Sequence, residues 1–315
     1  MNISIDHHFI PKFFIKEFAD EKGRVFLYNK KERKFEENVK KGTNNAYLKE
    51  TFKPEEVFFI KNMNTISFSG QDDDIIEKYL NKYFDNSYSK SFQNILGNFE
   101  KFIEDENYVF EMSKIGNEHI YNEEFLKKHY RKKLDVSYFI AELFCRNPHN
   151  FSLIKSFLQS QSKKSLINDF PDLIKVDIIL RSYFEIFDIR NINSDWRVLW
   201  SKKENNVGIL SDMPIIYRDF SKLQNFSELA IPISRDKVII YTKNLRIKEE
   251  EKRGGCMLYE KLATFAMAEK FVIGCNKLWI EKFANTYYQF VDKYGEEQAK
   301  NYHINRFFDC FENEN

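Results

Sequence analysis

The stretch that decides the fold runs from Val207 to Tyr241. It reads V-G-I-L-S-D-M-P-I-I-Y over 207–217, then a polar loop, then E-L-A-I-P-I-S-R-D-K-V-I-I-Y over 228–241. β-Branched apolar runs bounded by turn residues predict strands rather than helix. Ser211 and Asp212 break the first run where it should end, which places Asp212 at the mouth of a sheet. Pro214 has no N–H and restricts Met213 to extended angles. An acid held at a strand end beside a rigid kink can build a site, or it can build a turn.

Working back from that stretch, V-F-L-Y-N at 25–29 and K-F-E-E-N-V at 34–39 flank a polar turn and predict a β-hairpin. Pro11 predicts a short helix behind it, with Ile10, Phe14 and Phe18 four residues apart. Residues 43–71 read as loops with a short strand near Val57–Ile60. From Asp72 the period changes. Ile76, Leu80, Phe84, Tyr88, Phe92, Ile95, Phe99 and Phe102 recur every three or four residues and predict one long helix over about 73–104. Further helices are predicted over 122–146, stopped by Asn147-Pro148, and over 152–162 and 172–187. W-R-V-L-W at 196–200 leads back into the opening stretch. Beyond it, helices are predicted over 257–272, 278–295 and 301–311. The fold class this implies is α+β: a mainly helical body with a small, mostly antiparallel sheet, in one compact domain over 1–315.

Composition excludes several classes. With 49 basic and 48 acidic residues the net charge is +1, which argues against an overall basic nucleic-acid coat and leaves a local basic groove open. No apolar run approaches the roughly 18 residues needed to span a bilayer, so no membrane partner is expected. The four cysteines are scattered without a C-x-x-C, which predicts reduced thiols in a cytoplasmic protein rather than a zinc site. There is no phosphate-binding glycine loop, no G-x-S-x-G elbow and no H-E-x-x-H. Arg146-x-x-His149 is too short for the dyad of helical RNases. Glu32-x-Lys34 falls in a hairpin turn, where a restriction-nuclease core would need a buried strand.

Separated pieces of the chain resemble the bacterial domain-of-unknown-function family numbered 4238. His7-His8-Phe9-Ile10-Pro11-Lys12-Phe13-Phe14-Ile15-Lys16-Glu17-Phe18 looks like the element that opens its members, and Val25-Phe26-Leu27-Tyr28 like the strand that follows. Tyr79-Leu80 leads to Asp85 where the family form is Glu. Arg146-Asn147-Pro148 resembles an R-x-P at a helix end. Ser211-Asp212-Met213-Pro214 resembles S-D-x-P, and Pro232-Ile233-Ser234 the segment after it. The resemblance covers roughly residues 7–275 and brings no settled activity with it.

Four residues carry the chemistry expected of a site. His8 titrates near neutrality and suits a general acid or base, or a metal ligand; it could equally pack beside the Pro11 helix. Asp212 could bind a divalent metal or orient a histidine, or cap a turn. Asp85 could join it on a metal, or be a solvated helix acid. Arg146 could clamp a phosphate with its planar fork, or satisfy helix C-terminal carbonyls. His119, His129, His149 and His303 are expected on the surface. The functional expectation is a phosphodiester-cleaving, nuclease-like enzyme, a toxin or antiviral-defence effector. It would use Mg²⁺ or Mn²⁺ on Asp212 and Asp85 and act on nucleic acid or a nucleotide. The alternatives are a non-catalytic binding protein with a buried His-Asp-Arg polar network, and a small-molecule hydrolase.

Overall fold

The computed structural model describes residues 6–41, 46–61, 66–68, 71–73, 76, 78, 82, 89–90, 137–160, 187, 196–200, 207–242 and 255–311. Along the chain come β1 (Asp6–His8), α1 (Lys12–Lys16), β2 (Phe26–Asn29), β3 (Lys34–Phe35), β4 (Asn38–Lys41), β5 (Ala46–Lys49), β6 (Phe59–Lys61), β7 (Ile66–Phe68) and β8 (Gln71–Asp73). A helical stretch over 137–145 and α2 (Phe151–Ser160) follow. Then come β9 (Trp196–Trp200), β10 (Ile209–Ser211), β11 (Ile216–Tyr217), α3 (Phe220–Gln224), β12 (Glu228–Pro232) and β13 (Lys237–Thr242). The chain closes with α4 (Gly255–Met267), β14 (Phe271–Gly274), α5 (Lys277–Tyr294) and α6 (Glu296–Phe308). The fold is α+β, and every described strand pairing is antiparallel.

Contacts divide the chain into two units. The first comprises Met1–Pro11, Phe58–Ile192 and Gln224–Phe226; the second comprises Lys12–Val57, Asn193–Leu223 and Ser227–Asn315. In the first unit β1 pairs with β6, His8 opposite Phe59, and β7 pairs with β8. Its core includes Phe9, Ile10, Phe58, Phe139, Ile140, Phe144, Phe187 and Phe226. Most of the helices predicted over 73–104, 122–146 and 172–187 lie outside the described residues. The part of the second that is described, 137–145, is helical.

In the second unit the opening stretch forms strands as its composition dictates, but in two sheets. One has the order β10-β14-β2-β3 and the other β11-β12-β13-β9. Pro214 is where the chain leaves the first sheet and enters the second. The hairpin predicted over 25–39 is β2–β3, with Tyr28 opposite Phe35. Residues 38–41 and 46–49, the latter read as loop, pair as the antiparallel strands β4 and β5. The chief difference is β14. Its F-V-I-G follows α4 after only Ala268-Glu269-Lys270, and the sequence reading carries the helix across them to Val272. In the structure α4 ends at Met267, and Phe271–Gly274 becomes the inner strand that joins β10 to β2.

α5 forms where its face predicts, whereas α6 begins at Glu296, ahead of the start expected near Asn301. α5 is capped by Asn276, whose side chain accepts from the Trp279 amide, and it buries Ile280, Phe283, Ala284 and Tyr287 at helical spacing. Gly295, at φ 87°, ends it and begins α6 in one residue. In α4 every residue from Glu260 to Met267 is buried, the pattern of an interior helix. It packs on α6 through Cys256, Ala263 and Met267 against Ile304, Phe307 and Phe308. On another side Phe265 and Ala266 meet Ile280, Phe283 and Tyr287 of α5. Burying each such large side chain contributes about 1.5–3 kcal/mol.

Candidate functional site

Asp212 stands one residue past β10, and it is 1% exposed. Its amide donates to the Phe271 carbonyl at 2.9 Å, which extends the β10–β14 ladder by one step. Its carboxylate accepts three backbone amides from the turn between α4 and β14. Oδ1 takes Glu269 at 2.9 Å, and Oδ2 takes Lys270 at 2.8 Å and Phe271 at 3.0 Å. Charge-assisted bonds of this kind are the strong ones. The neighbouring Ser211 hydroxyl donates to the Met213 carbonyl at 2.5 Å, which holds the kink before Pro214.

The same turn is held from its other side by Lys30, a residue the sequence pattern does not reveal. Its Nζ donates to the carbonyls of Ala266 at 3.1 Å and Ala268 at 2.8 Å, the orphan groups at the end of α4. Its own amide donates to the Lys270 carbonyl at 2.7 Å, and its carbonyl accepts from the Tyr288 hydroxyl. The ammonium lies 4.6 Å from the Tyr287 ring centre and 3.7 Å from the exposed Glu296 carboxylate. Burial pushes the Lys30 ammonium down to about 8, against the pull of Glu296, Asp212 and Glu269. Asp212 therefore holds the amides of the turn and Lys30 its carbonyls. A divalent cation on Asp212 would meet three N–H dipoles aimed at the same two oxygens.

His8 and Arg146 come together in the first unit. Arg146, 1% exposed, ends the helical stretch 137–145, and its Nη2 donates to the His8 backbone carbonyl at 2.5 Å. The His8 side chain is buried against Phe59, ring centres 5.8 Å apart. Of the two sequence alternatives for Arg146, neither describes this bond, because the carbonyl it meets belongs to β1 and not to a helix end. Asn147 caps the turn at Pro148 by accepting from the His149 amide at 3.0 Å, and Asn150 donates to the Phe144 carbonyl at 3.0 Å. The R-N-P and H-H-x-x-P stretches thus meet. Glu142, also buried, is one helical turn before Arg146 and its carbonyl accepts the Arg146 amide at 2.9 Å. Its negative charge adds to burial in pushing the Cys145 thiol up. Glu142 could have been flagged by its place in the run S-Y-F-I-A-E-L-F-C, an acid in an otherwise apolar helix.

The remaining assignments divide. Asp212 belongs to the second unit and His8 and Arg146 to the first; Asp85 lies outside the described residues. Among the described residues no group of three or more His, Cys, Asp or Glu side chains could hold a metal. Glu32 and Lys34 lie at the β2–β3 turn, where the sequence places them, and make an exposed ion pair at 2.7 Å. The P-I-S stretch turns the β12–β13 hairpin: Ser234 donates to Asp236 at 2.7 Å, and Lys237 pairs with the same carboxylate at 3.1 Å. That turn rests on Gly208, where a Cβ would lie 2.1 Å from Arg235 Cα. His303 is a correction. Expected on the surface, it is 2% exposed, because Ala299, His303 and Phe307 share the buried stripe of α6.

Two small antiparallel sheets and an interior helix, fastened by buried polar clamps at turns, define the second unit of a mixed α+β protein. The chain belongs to the DUF4238 family, a protein family of unknown function, whose model matches residues 6–310. No curated protein and no solved structure matches it. Among the described residues no helix is long and apolar enough to cross a membrane.

Proposed function

We propose that the chain is a non-catalytic binding or interaction protein in which Asp212 and Arg146 fasten the polypeptide rather than process a substrate. The observation that carries this is where their bonds go. The Asp212 carboxylate takes three main-chain amides, and Arg146 donates to the His8 carbonyl. A metal-binding or phosphate-binding group presents its charge to a ligand; these two direct theirs at buried backbone. His8 contributes its carbonyl oxygen to the fastening, a group every amino acid supplies.

One observation favours a second reading, the phosphodiester-cleaving enzyme. His8 and Arg146, suited to proton transfer and to phosphate, meet in one unit although 138 residues apart. The experiment that separates the two incubates the full chain with RNA, DNA and cyclic nucleotides in Mg²⁺ or Mn²⁺, beside His8→Phe. The binding-protein reading expects no cleavage that depends on His8. Cleavage by the wild type that is lost in a folded His8→Phe chain overturns it.

A further inference from the structure

We propose that the α5–α6 hairpin is an acid-released element: protonation of His303 drives α6 away from α5 and α4. His303 is 2% exposed, and neither ring nitrogen has a hydrogen-bond partner. Aromatic rings surround it: Phe290 at 4.9 Å and Tyr287 at 5.8 Å from α5, and Tyr302 at 5.2 Å from α6 itself. The Tyr287 hydroxyl is also buried without a partner. A neutral imidazole is tolerated in such a place; an imidazolium there is a buried charge with no carboxylate on it.

The charged groups of the packed elements are otherwise engaged. On α4, the buried Glu260 pairs with Lys261 at 2.5 Å and accepts from Thr264 at 2.8 Å. Just past β2, Lys30 lies on the Tyr287 ring and carries the same sign as an imidazolium. On α6, Glu296 pairs with Lys30, and Arg306 lies 4.4 Å from the Tyr259 ring centre. Burial accordingly pushes the imidazole down to about 4 from its usual 6.5. The sign follows. In the released helix His303 protonates near 6.5, and in the docked helix only near 4, so docking weakens as pH falls through that interval.

The fold supplies a hinge at the right place. Gly295 alone separates the two helices, at φ 87°, and a single residue of this freedom can swing α6 as a rod. The face that would be uncovered carries Ile304, Phe307, Phe308 and Phe311, all buried when α6 is docked.

Amide hydrogen exchange of the full chain between pH 6.5 and pH 4, corrected for intrinsic rates, tests this. Loss of one proton's linkage changes protection by at most about tenfold per pH unit. Protection over 296–311 should therefore fall about a hundredfold further across the interval in the wild type than in His303→Phe. His303→Leu serves as a second uncharged replacement. The acid-sensitive pairs Lys30–Glu296 and Arg218–Asp309 are present in all three chains, so the difference isolates His303. The imidazole ¹³C shift gives an independent readout. An equal fall in both replacements overturns the proposal, as does a level wild-type profile or protonation of His303 with protection unchanged.

Discussion

Replacing Arg146 and replacing His8 should have very different consequences, although the two residues touch. Arg146→Ala deletes a guanidinium that is 1% exposed and leaves the His8 carbonyl without its donor. Leaving a buried carbonyl unsatisfied and a cavity where the long side chain was together cost about 3–5 kcal/mol. Arg146→Lys keeps the charge and loses the planar fork, and should cost about half as much. His8→Phe keeps both the backbone carbonyl and an aromatic ring against Phe59. Its cost is the side chain's polar interactions and a small change of shape, about 1–2 kcal/mol. Urea unfolding followed by circular dichroism, with the slope checked for constancy, measures all three. The reasoning is refuted if His8→Phe is as damaging as Arg146→Ala, since the imidazole and not the carbonyl would then be what matters. It is equally refuted if Arg146→Ala stays within about 1 kcal/mol of the wild type, the range of a surface contact.

Two further substitutions bear on the second unit. Lys30 is lowered to about 8 in the folded chain against 10.5 unfolded, so its charge is disfavoured by folding, and stability should rise as pH climbs from 8 towards 10. The gain is at most about 3 kcal/mol at about 1.4 kcal/mol per unit; urea unfolding at several pH values should show it in the wild type and not in Lys30→Met. Gly208→Ala puts a methyl group 2.1 Å from Arg235 Cα, so β10 or the β12–β13 turn must move. We expect a loss of about 3 kcal/mol or more, read as a lower melting temperature or a low soluble yield.

How much of this was legible in the sequence varies by element. α5 was, because Ile280, Phe283, Ala284 and Tyr287 repeat at helical spacing and Gly295 marks the end. The strands of the opening stretch were, because β-branched runs end at Ser211-Asp212 and at Pro232. β14 was not. No glycine or proline stands between the buried second half of α4 and Phe271 to mark a break, and only pairing with Ile209–Ser211 and Phe26–Asn29 makes Phe271–Gly274 a strand. Asp212 was singled out, and its turn-capping alternative names the bonds it makes, though the amides it holds lie 57 to 59 residues further on. The buried role of Lys30 was not: in N-K-K-E-R-K it reads as one cation of a solvated, lysine-rich face, and its carbonyl partners are more than 230 residues away. His303 was misplaced through its polar neighbours, although its four-residue spacing from Ala299 and Phe307 was there to be read.

The claim that Asp212 is a clamp on the α4–β14 turn is tested most directly at the amides it binds. In Asp212→Asn one carboxylate oxygen becomes an amide nitrogen, which cannot accept, and the remaining oxygen cannot serve all three donors. Exchange of the Glu269, Lys270 and Phe271 amides should be slow in the wild type and faster by about tenfold or more in the variant, the equivalent of one charge-assisted bond or more. Amides in the middle of α5 should change less than these. Unaltered exchange at all three positions in a folded Asp212→Asn chain would contradict the account and return Asp212 to the list of residues kept for a ligand.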